Sequence, residues 1–358
     1  MKESEQILET RRLGISELQV GILGMGCWQF GGDSNSYWGF QSQRDVEEMI
    51  GAALDSGINY FDTAEMYNDG ESERSLGLAL KGRRSRAIIG TKIKTSNTKP
   101  KTLREQCEAS LRRLQTDYID LYMLHWPINY QSILHFSNDE SLLADPPTLE
   151  EAFYTLDQLK QEGKIRHIGI SNHGVEQMDE VKATGVKVIA NELVYNLLCR
   201  AIESRILPYC TRHQMGVIGY MGLHQGILSG KYRKIDEIPL GRMRSRHFHH
   251  SRGEGSRHGE EGAEPELQEA LNGIHQLAFD LGVSVSMLSL AWAFSNPNIA
   301  ITICGARNVQ QLNANIEAAS FPISSEVRNQ LDHITAPLLH KLGNNADYFE
   351  NSKYSRIR

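Results

Sequence analysis

The stretch Ile58-Asn59-Tyr60-Phe61-Asp62-Thr63-Ala64-Glu65-Met66-Tyr67 decides how the chain is read. A short apolar run bounded by Gly57 ends in a carboxylate, and a phenol follows five residues later. Two further runs end alike: Ala87-Ile88-Ile89-Gly90-Thr91 meets Lys92, and Tyr118-Ile119-Asp120-Leu121-Tyr122-Met123-Leu124 meets His125. Short apolar runs bounded by turn residues suit buried strands, and the segments between them carry helical periodicity. Successive strands that each deliver a polar group at their end describe an α/β protein with its chemistry on one rim.

Outward from that stretch the beat continues. Before it, Arg11–Ile22 reads as a small hairpin, and Leu23-Gly24-Met25-Gly26-Cys27-Trp28 as a first strand running into a Gly-rich loop. A helix capped by Ser42 carries Val46, Met49, Ile50, Ala53 and Leu54 on one face. Beyond it, helices are expected over about 72–81, from a capping box Thr102-x-x-Glu105, and from a second box Thr148-x-x-Glu151. Residues 127–147 read as a long loop. Strands 165–170, 187–190, 216–219 and 299–304 alternate with further helices, the last over about 324–334. Eight strand–helix units with short right-handed crossovers predict a (β/α)8 TIM barrel with an N-terminal β-hairpin, a long loop after strand seven and a C-terminal tail. A doubly wound sheet is the main alternative, and the count of units favours the barrel. No boundary divides residues 1–358, so one domain is expected, with the barrel over about 18–338 and the tail over 339–358.

Composition limits the function classes. Hydrophobic content of 40% and charged content of 23% suit a globular chain, and a net charge of -6 offers no basic field for nucleic acid. Cys27, Cys107, Cys199, Cys210 and Cys304 are scattered and odd in number, which excludes a disulfide framework and suits a reducing compartment. The polar start Met1-Lys2-Glu3-Ser4-Glu5-Gln6 lacks a signal core, and the longest apolar stretch is too short to span a bilayer. A cytoplasmic protein with no membrane partner is expected. Between about Arg233 and Pro265 the periodicity fails. That segment, rich in Arg and His through Arg242–His258, reads as a solvated surface excursion. His247, His249 and His250 lie too close together for a tetrahedral metal set, and no metal is expected.

In a barrel, the strand ends Asp62, Lys92 and His125 and the loop residue Tyr67 share the catalytic rim. Together they suit proton transfer to a carbonyl oxygen. A lysine ammonium stabilises the phenolate, a carboxylate orients the lysine, and a neutral histidine donates to the developing alkoxide. No serine or cysteine nucleophile with a base accompanies them. Glu65 and Met66 read as spacers. Trp28, Trp38 and Trp126 stand on rim loops and are expected to wall a substrate.

These motifs resemble the aldo-keto reductases. The matching stretches are Phe61-Asp62-Thr63-Ala64-x-x-Tyr67, Thr91-Lys92, Leu124-His125-Trp126-Pro127, Gly163-Lys164-Ile165-Arg166-x-Ile168-Gly169-Ile170-Ser171-Asn172 and Gly305-Ala306-Arg307. The resemblance implies Tyr67 as general acid/base, tuned by Lys92 and Asp62, with His125 orienting the carbonyl. It implies that Ser171, Asn172 and Glu192 hold a nicotinamide carboxamide and that Tyr220 stacks on the ring. Gly222, Leu223, Gly226 and Lys231 would clasp the pyrophosphate, while Gly305, Arg307, Gln311 and Asn315 would meet the adenosine end. Arg307 ahead of a helix favours NADP(H) over NAD(H), which stays open. Glu192 departs from the glutamine usual there. The expected partner is a small carbonyl, sugar or polyol, with homo-oligomerisation undecided. Two rival readings remain: a Schiff-base lyase using Lys92, and a non-catalytic NADPH-binding regulatory subunit.

Overall fold

The computed structural model describes residues 8–137 and 139–358. The N-terminal stretch Met1–Gln6, read above as lacking a signal core, lies outside them. Eight parallel strands close into a barrel: β3 (Leu23–Gly26), β4 (Tyr60–Asp62), β5 (Ile88–Ile93), β6 (Ile119–Leu124), β7 (Ile165–Ser171), β8 (Val188–Val194), β9 (Gly216–Tyr220) and β10 (Ile301–Cys304), with β10 pairing back onto β3. The expected (β/α)8 architecture is the observed one. Ahead of it, β1 (Thr10–Arg12) and β2 (Gln19–Gly21) form the antiparallel hairpin.

The barrel lumen is a packed layer of Tyr60, Leu121, Met123, Ile189, Ile218, Ile301 and Ile303. Leu13 and Val20 of the hairpin cap it from the N-terminal end of the strands. Two glycines make this fit. A Cβ at Gly90 would collide with the Tyr60 ring, and one at Gly14 would strike the Ile189 carbonyl. Gly14 also sits at φ +57, where a side chain is strained.

Helices α1 (Gln43–Asp55), α2 (Glu71–Ala79), α3 (Pro100–Leu114), α6 (Leu149–Gln161), α7 (Val175–Ala183), α8 (Ile206–Arg212), α9 (Glu264–Asp280), α10 (Val285–Phe294), α11 (Val309–Ser320) and α12 (Ser325–Leu342) surround the barrel. Ser42 caps α1 as expected, its side chain accepting from the Asp45 amide. Thr148 caps α6 and also donates its hydroxyl to Glu151 at 3.0 Å. The box expected at Thr102 is not a cap. Pro100 opens α3 two residues earlier, because proline fits the first helical turn, and Lys99 stands at the N-cap.

Three other expectations need correction. The loop 127–147 contains α4 (Tyr130–Phe136) and α5 (Glu140–Ala144), two helices too short to show a periodicity. Helix α12 runs past residue 334 to Leu342, accommodating Pro337. The segment 233–263 is not a solvated excursion. It buries Ile235, Ile238, Met243, Phe248 and Ala263 together with His247 and His258. Its ordering contacts run within the segment and to distant residues: Arg246 donates to Glu260 at 2.8 Å and to the Leu342 carbonyl at 3.0 Å. His247 stacks on Tyr348 of the tail, centroids 5.3 Å apart. Irregular backbone held by such partners carries no period to read.

The tail packs back across the strand ends. Arg356 and Asp347 form a buried bidentate pair at 2.7 and 2.8 Å. The Arg356 carbonyl accepts from Asn129 at 3.1 Å and from Gln177 at 2.7 Å. All five cysteines are buried and unpaired. Among the described residues no single helix is long and apolar enough to cross a membrane.

Candidate active site

Strand geometry brings the four predicted catalytic residues together. Asp62 ends β4, Lys92 lies on β5 and His125 follows β6. Lys92, fully buried, donates to Asp62 at 2.6 Å and to the Thr63 carbonyl at 3.0 Å. Its ammonium stands 5.2 Å from the centre of the Tyr67 ring. The His125 ring lies edge-on to Tyr67, centroids 5.8 Å apart.

Electrostatics sets each protonation state. Burial opposes the Lys92 charge, but the Asp62 carboxylate, which also accepts its hydrogen bond, outweighs it and holds the ammonium above its ordinary range. Burial raises the Tyr67 phenol, and the pull of Lys92 in the other direction does not cancel it. Lys92 lowers the phenol as expected, but burial prevails, and Tyr67 is a neutral O–H donor. His125 is pushed far below its usual value by burial and by Lys92, so it is a neutral imidazole. Its Nδ1 is buried without a hydrogen-bond partner among the described residues.

Glu192 on β8 joins this cluster. One oxygen lies 3.3 Å from Lys92, and the other, Oε2, is buried and has no hydrogen-bond partner among the described residues. Burial and the neighbouring Asp62 raise the Glu192 carboxyl well above the ordinary range, and burial raises Asp62 too. Two carboxylates around one ammonium cannot both ionise cheaply in a buried site. Asp62, closer to Lys92, keeps the charge, and the proton rests on Glu192. The native state therefore binds this proton more tightly than the unfolded chain. Its stabilisation is complete below the unfolded carboxyl value of 4.5 and is lost as pH rises through the raised native value. Glu192→Gln cannot ionise, so its melting temperature is expected to gain on the wild type as pH rises from about 5 to about 9. Parallel melting curves across that range would refute the neutral carboxyl.

The remaining predicted residues fall into two groups. Trp28, Tyr67, His125, Trp126, Ser171, Asn172, Glu192 and Tyr220 line one cavity of about 260 Å³ over the strand ends. Asn172, at φ 63, donates to the His125 carbonyl at 3.2 Å and accepts from the Tyr220 hydroxyl at 2.8 Å. Trp38 stands behind this wall, edge-on to Trp28 at 5.6 Å. Gly222, Leu223, Gly226 and Lys231 follow β9 outside the cavity lining, and Gly305, Arg307, Gln311 and Asn315 follow β10. Arg307 currently donates to the carbonyls of Trp38 and Phe40.

Sequence reasoning missed several groups. Met66 lines the cavity, and Glu65 accepts from the Lys94 amide at 2.7 Å and from Asn97 at 2.9 Å, so neither is a mere spacer. His135, Phe136, Arg244, Arg257, Phe349 and Arg356 line the cavity from α4, the 233–263 segment and the tail. The only signal for them was aromatic and arginine content in segments without period. The histidine run divides: His247 turns inward, and its Nε2 comes 3.9 Å from the Cys199 thiol. His224 stands 3.3 Å from the same sulfur. Both nitrogens of His247 are already bonded, to the Leu198 carbonyl at 2.8 Å and to Ser245 at 3.0 Å. His249 and His250 stack on each other outside this trio.

The family model "Aldo/keto reductase family" matches residues 22–336. An aldo-keto reductase of Bacillus subtilis (strain 168) is 31% identical over 342 residues, 91% of this chain and 93% of the relative. A putative voltage-gated potassium channel subunit beta of Schizosaccharomyces pombe is 30% identical, covering 90% of this chain and 92% of its own. A crystal structure of an aldo-keto reductase from Klebsiella pneumoniae in complex with NADPH superposes with a TM-score of 0.68 at 26% identity, covering 98% of this chain and 99% of that one. With the barrel, the strand-end residues and a family match over most of its length in agreement, the chain belongs to the aldo/keto reductase family.

Proposed function

We propose that the protein is an NADPH-dependent oxidoreductase that moves a hydride between nicotinamide and a carbonyl or alcohol substrate, an aldehyde, ketone, sugar or polyol. The observation that carries this reading is the charged Lys92–Asp62 pair, at 2.6 Å, packed beneath a neutral Tyr67. The bound cofactor supplies the hydride. In reduction, Tyr67 gives its proton to the carbonyl oxygen, Lys92 stabilises the phenolate left behind, and neutral His125 orients the oxygen. In oxidation the same phenolate removes the alcohol proton.

The residues present fit such a cofactor. Ser171, Asn172 and Glu192 would hold the carboxamide. The departure from glutamine is smaller than it looks, because a protonated Glu192 offers both a donor and an acceptor, and its Oε2 lacks a partner among the described residues. Tyr220 would stack on the ring. Gly222, Leu223, Gly226 and Lys231 would hold the pyrophosphate, and Gly305, Gln311 and Asn315 the adenosine. Arg307 would exchange two loop carbonyls for a 2′-phosphate, and the NADPH complex of the Klebsiella relative supports that preference over NADH. The reading treats residues 1–358 as one cytoplasmic unit, supported by the packed tail and the unpaired thiols.

Lyase chemistry at Lys92 is disfavoured. A Schiff-base lysine must lose its proton, and Lys92 is held charged by the buried Asp62 carboxylate at 2.6 Å. A regulatory role has one specific support, the channel-subunit relative. Fluorescence titration with NADPH, followed by NADPH oxidation with a panel of aldehydes, ketones and sugars, separates the readings. Tight binding without turnover of any substrate would favour the regulatory subunit, and no binding would sink both.

A further inference from the structure

The cavity has a cationic mouth that proton transfer does not require. Arg244, Arg257 and Arg356 line it, against a single carboxyl, Glu192, which sits against Lys92. Two of these arginines are aimed by carboxylates that lie outside the lining. Arg356, its side chain 2% exposed, gives Nε and Nη2 to Asp347 and lies 3.8 Å over the Trp126 ring. Its Nη1 makes no hydrogen bond with the described residues. Arg257 gives Nε to Glu350 at 2.5 Å, leaving both terminal nitrogens without a bond among those residues. Arg244 forms no ion pair or side-chain hydrogen bond with the described residues, and its guanidinium carbon stands 5.3 Å from the Tyr37 ring centre.

A guanidinium gripped on one edge presents its other N–H groups in fixed directions, the geometry that recognises planar or tetrahedral oxyanions. The positive field registers on a neighbour. His135, on the same wall, is pushed down to about 4 by burial and then by Arg257 and Arg356, with Asp347 opposing. Carbonyl reduction needs one proton donor and one orienting group, and Tyr67 and His125 supply both. The arginines are surplus to that chemistry, and they line the cavity together with Phe136 and Phe349.

Resting on the reductase reading, we infer that the substrate is a short aldehyde or ketone carrying an oxyanion, a carboxylate or phosphate ester, which Arg244, Arg257 and Arg356 hold while the carbonyl meets Tyr67. The cavity of about 260 Å³ is small beside ordinary ligand pockets, which favours a chain of few carbons.

The test compares matched substrates under saturating NADPH: butanal with succinic semialdehyde, and glyceraldehyde with its 3-phosphate. The wild type is expected to prefer the anionic member of at least one pair by about tenfold or more in kcat/KM, the worth of a charge-assisted hydrogen bond. Raising salt should shrink that preference, and the two pairs tell carboxylate from phosphate. Arg244→Gln and Arg257→Gln, at sites less buried than Arg356, are expected to bring the ratio toward one, chiefly through KM for the anionic member. Equal kcat/KM for neutral and anionic partners in the wild type overturns the inference and leaves the reductase reading intact. So does an unchanged ratio in the variants accompanied by a raised NADPH Kd, which would assign the arginines to cofactor phosphates. If no carbonyl is turned over, the reductase reading fails and takes this inference with it.

Discussion

Tyr67→Phe is expected to lower kcat/KM for carbonyl reduction by about 10²–10⁴-fold, the range attributed to a positioned acid or base. The ring would stay against Trp28, where the native pair stacks at 5.6 Å, so the cavity wall survives and only the proton is lost. NADPH affinity, read by fluorescence titration, should hold within about threefold, because no predicted cofactor contact runs through the hydroxyl. Stopped-flow kinetics should show the hydride step itself slowed. A variant that keeps wild-type turnover would remove Tyr67 from the chemistry. The Lys92 pair would then need another role.

The second large effect is on stability. Lys92→Met leaves Asp62 and Glu192 buried together without the ammonium between them. Removing one partner of a buried pair costs about 3–5 kcal/mol, because the remaining charge is stranded. Denaturant unfolding should show that loss. Adding Asp62→Leu to Lys92→Met should recover part of it, since an apolar replacement relieves the stranded carboxylate. Activity should not return with it, because a phenolate on Tyr67 would still lack its counter-charge. If the double variant were no more stable than the single one, the cost would come from packing rather than from charge.

Much of this was legible in the sequence, and the reason is local. Strand ends are marked by where an apolar run stops, so Asp62, Lys92 and His125 could be placed on one rim from the chain alone, whereas Ser171 and Glu192 came from the family resemblance. The hairpin, Ser42 and Thr148 were legible because cap and turn chemistry act within a few residues. What stayed hidden depends on distant partners. Phe248 and His247 are buried, His247 against Tyr348 of the tail and the Leu198 carbonyl, and no period marks them. Arg356 becomes a pocket residue only through Asp347 and Trp126. The charge state of Glu192 was equally out of reach. A sequence shows a carboxylate where glutamine is usual, but only the fold shows that Asp62 competes with it for one ammonium.

Barrel closure also governs how the molecule can come into being. Leu23 pairs with Thr302, so nearly the whole chain must exist before the ring can shut. A first half ending at β6 holds Lys92 and Asp62 on adjacent inner strands of an unclosed sheet, without Glu192 and Tyr220 to cover them. Contacts between residues so far apart in sequence form slowly and late. Assembly is therefore expected to complete the proton-transfer centre late, and a chain halted before β8 would hold Tyr67, Lys92 and Asp62 without the strands that bring Glu192 and Tyr220 over them.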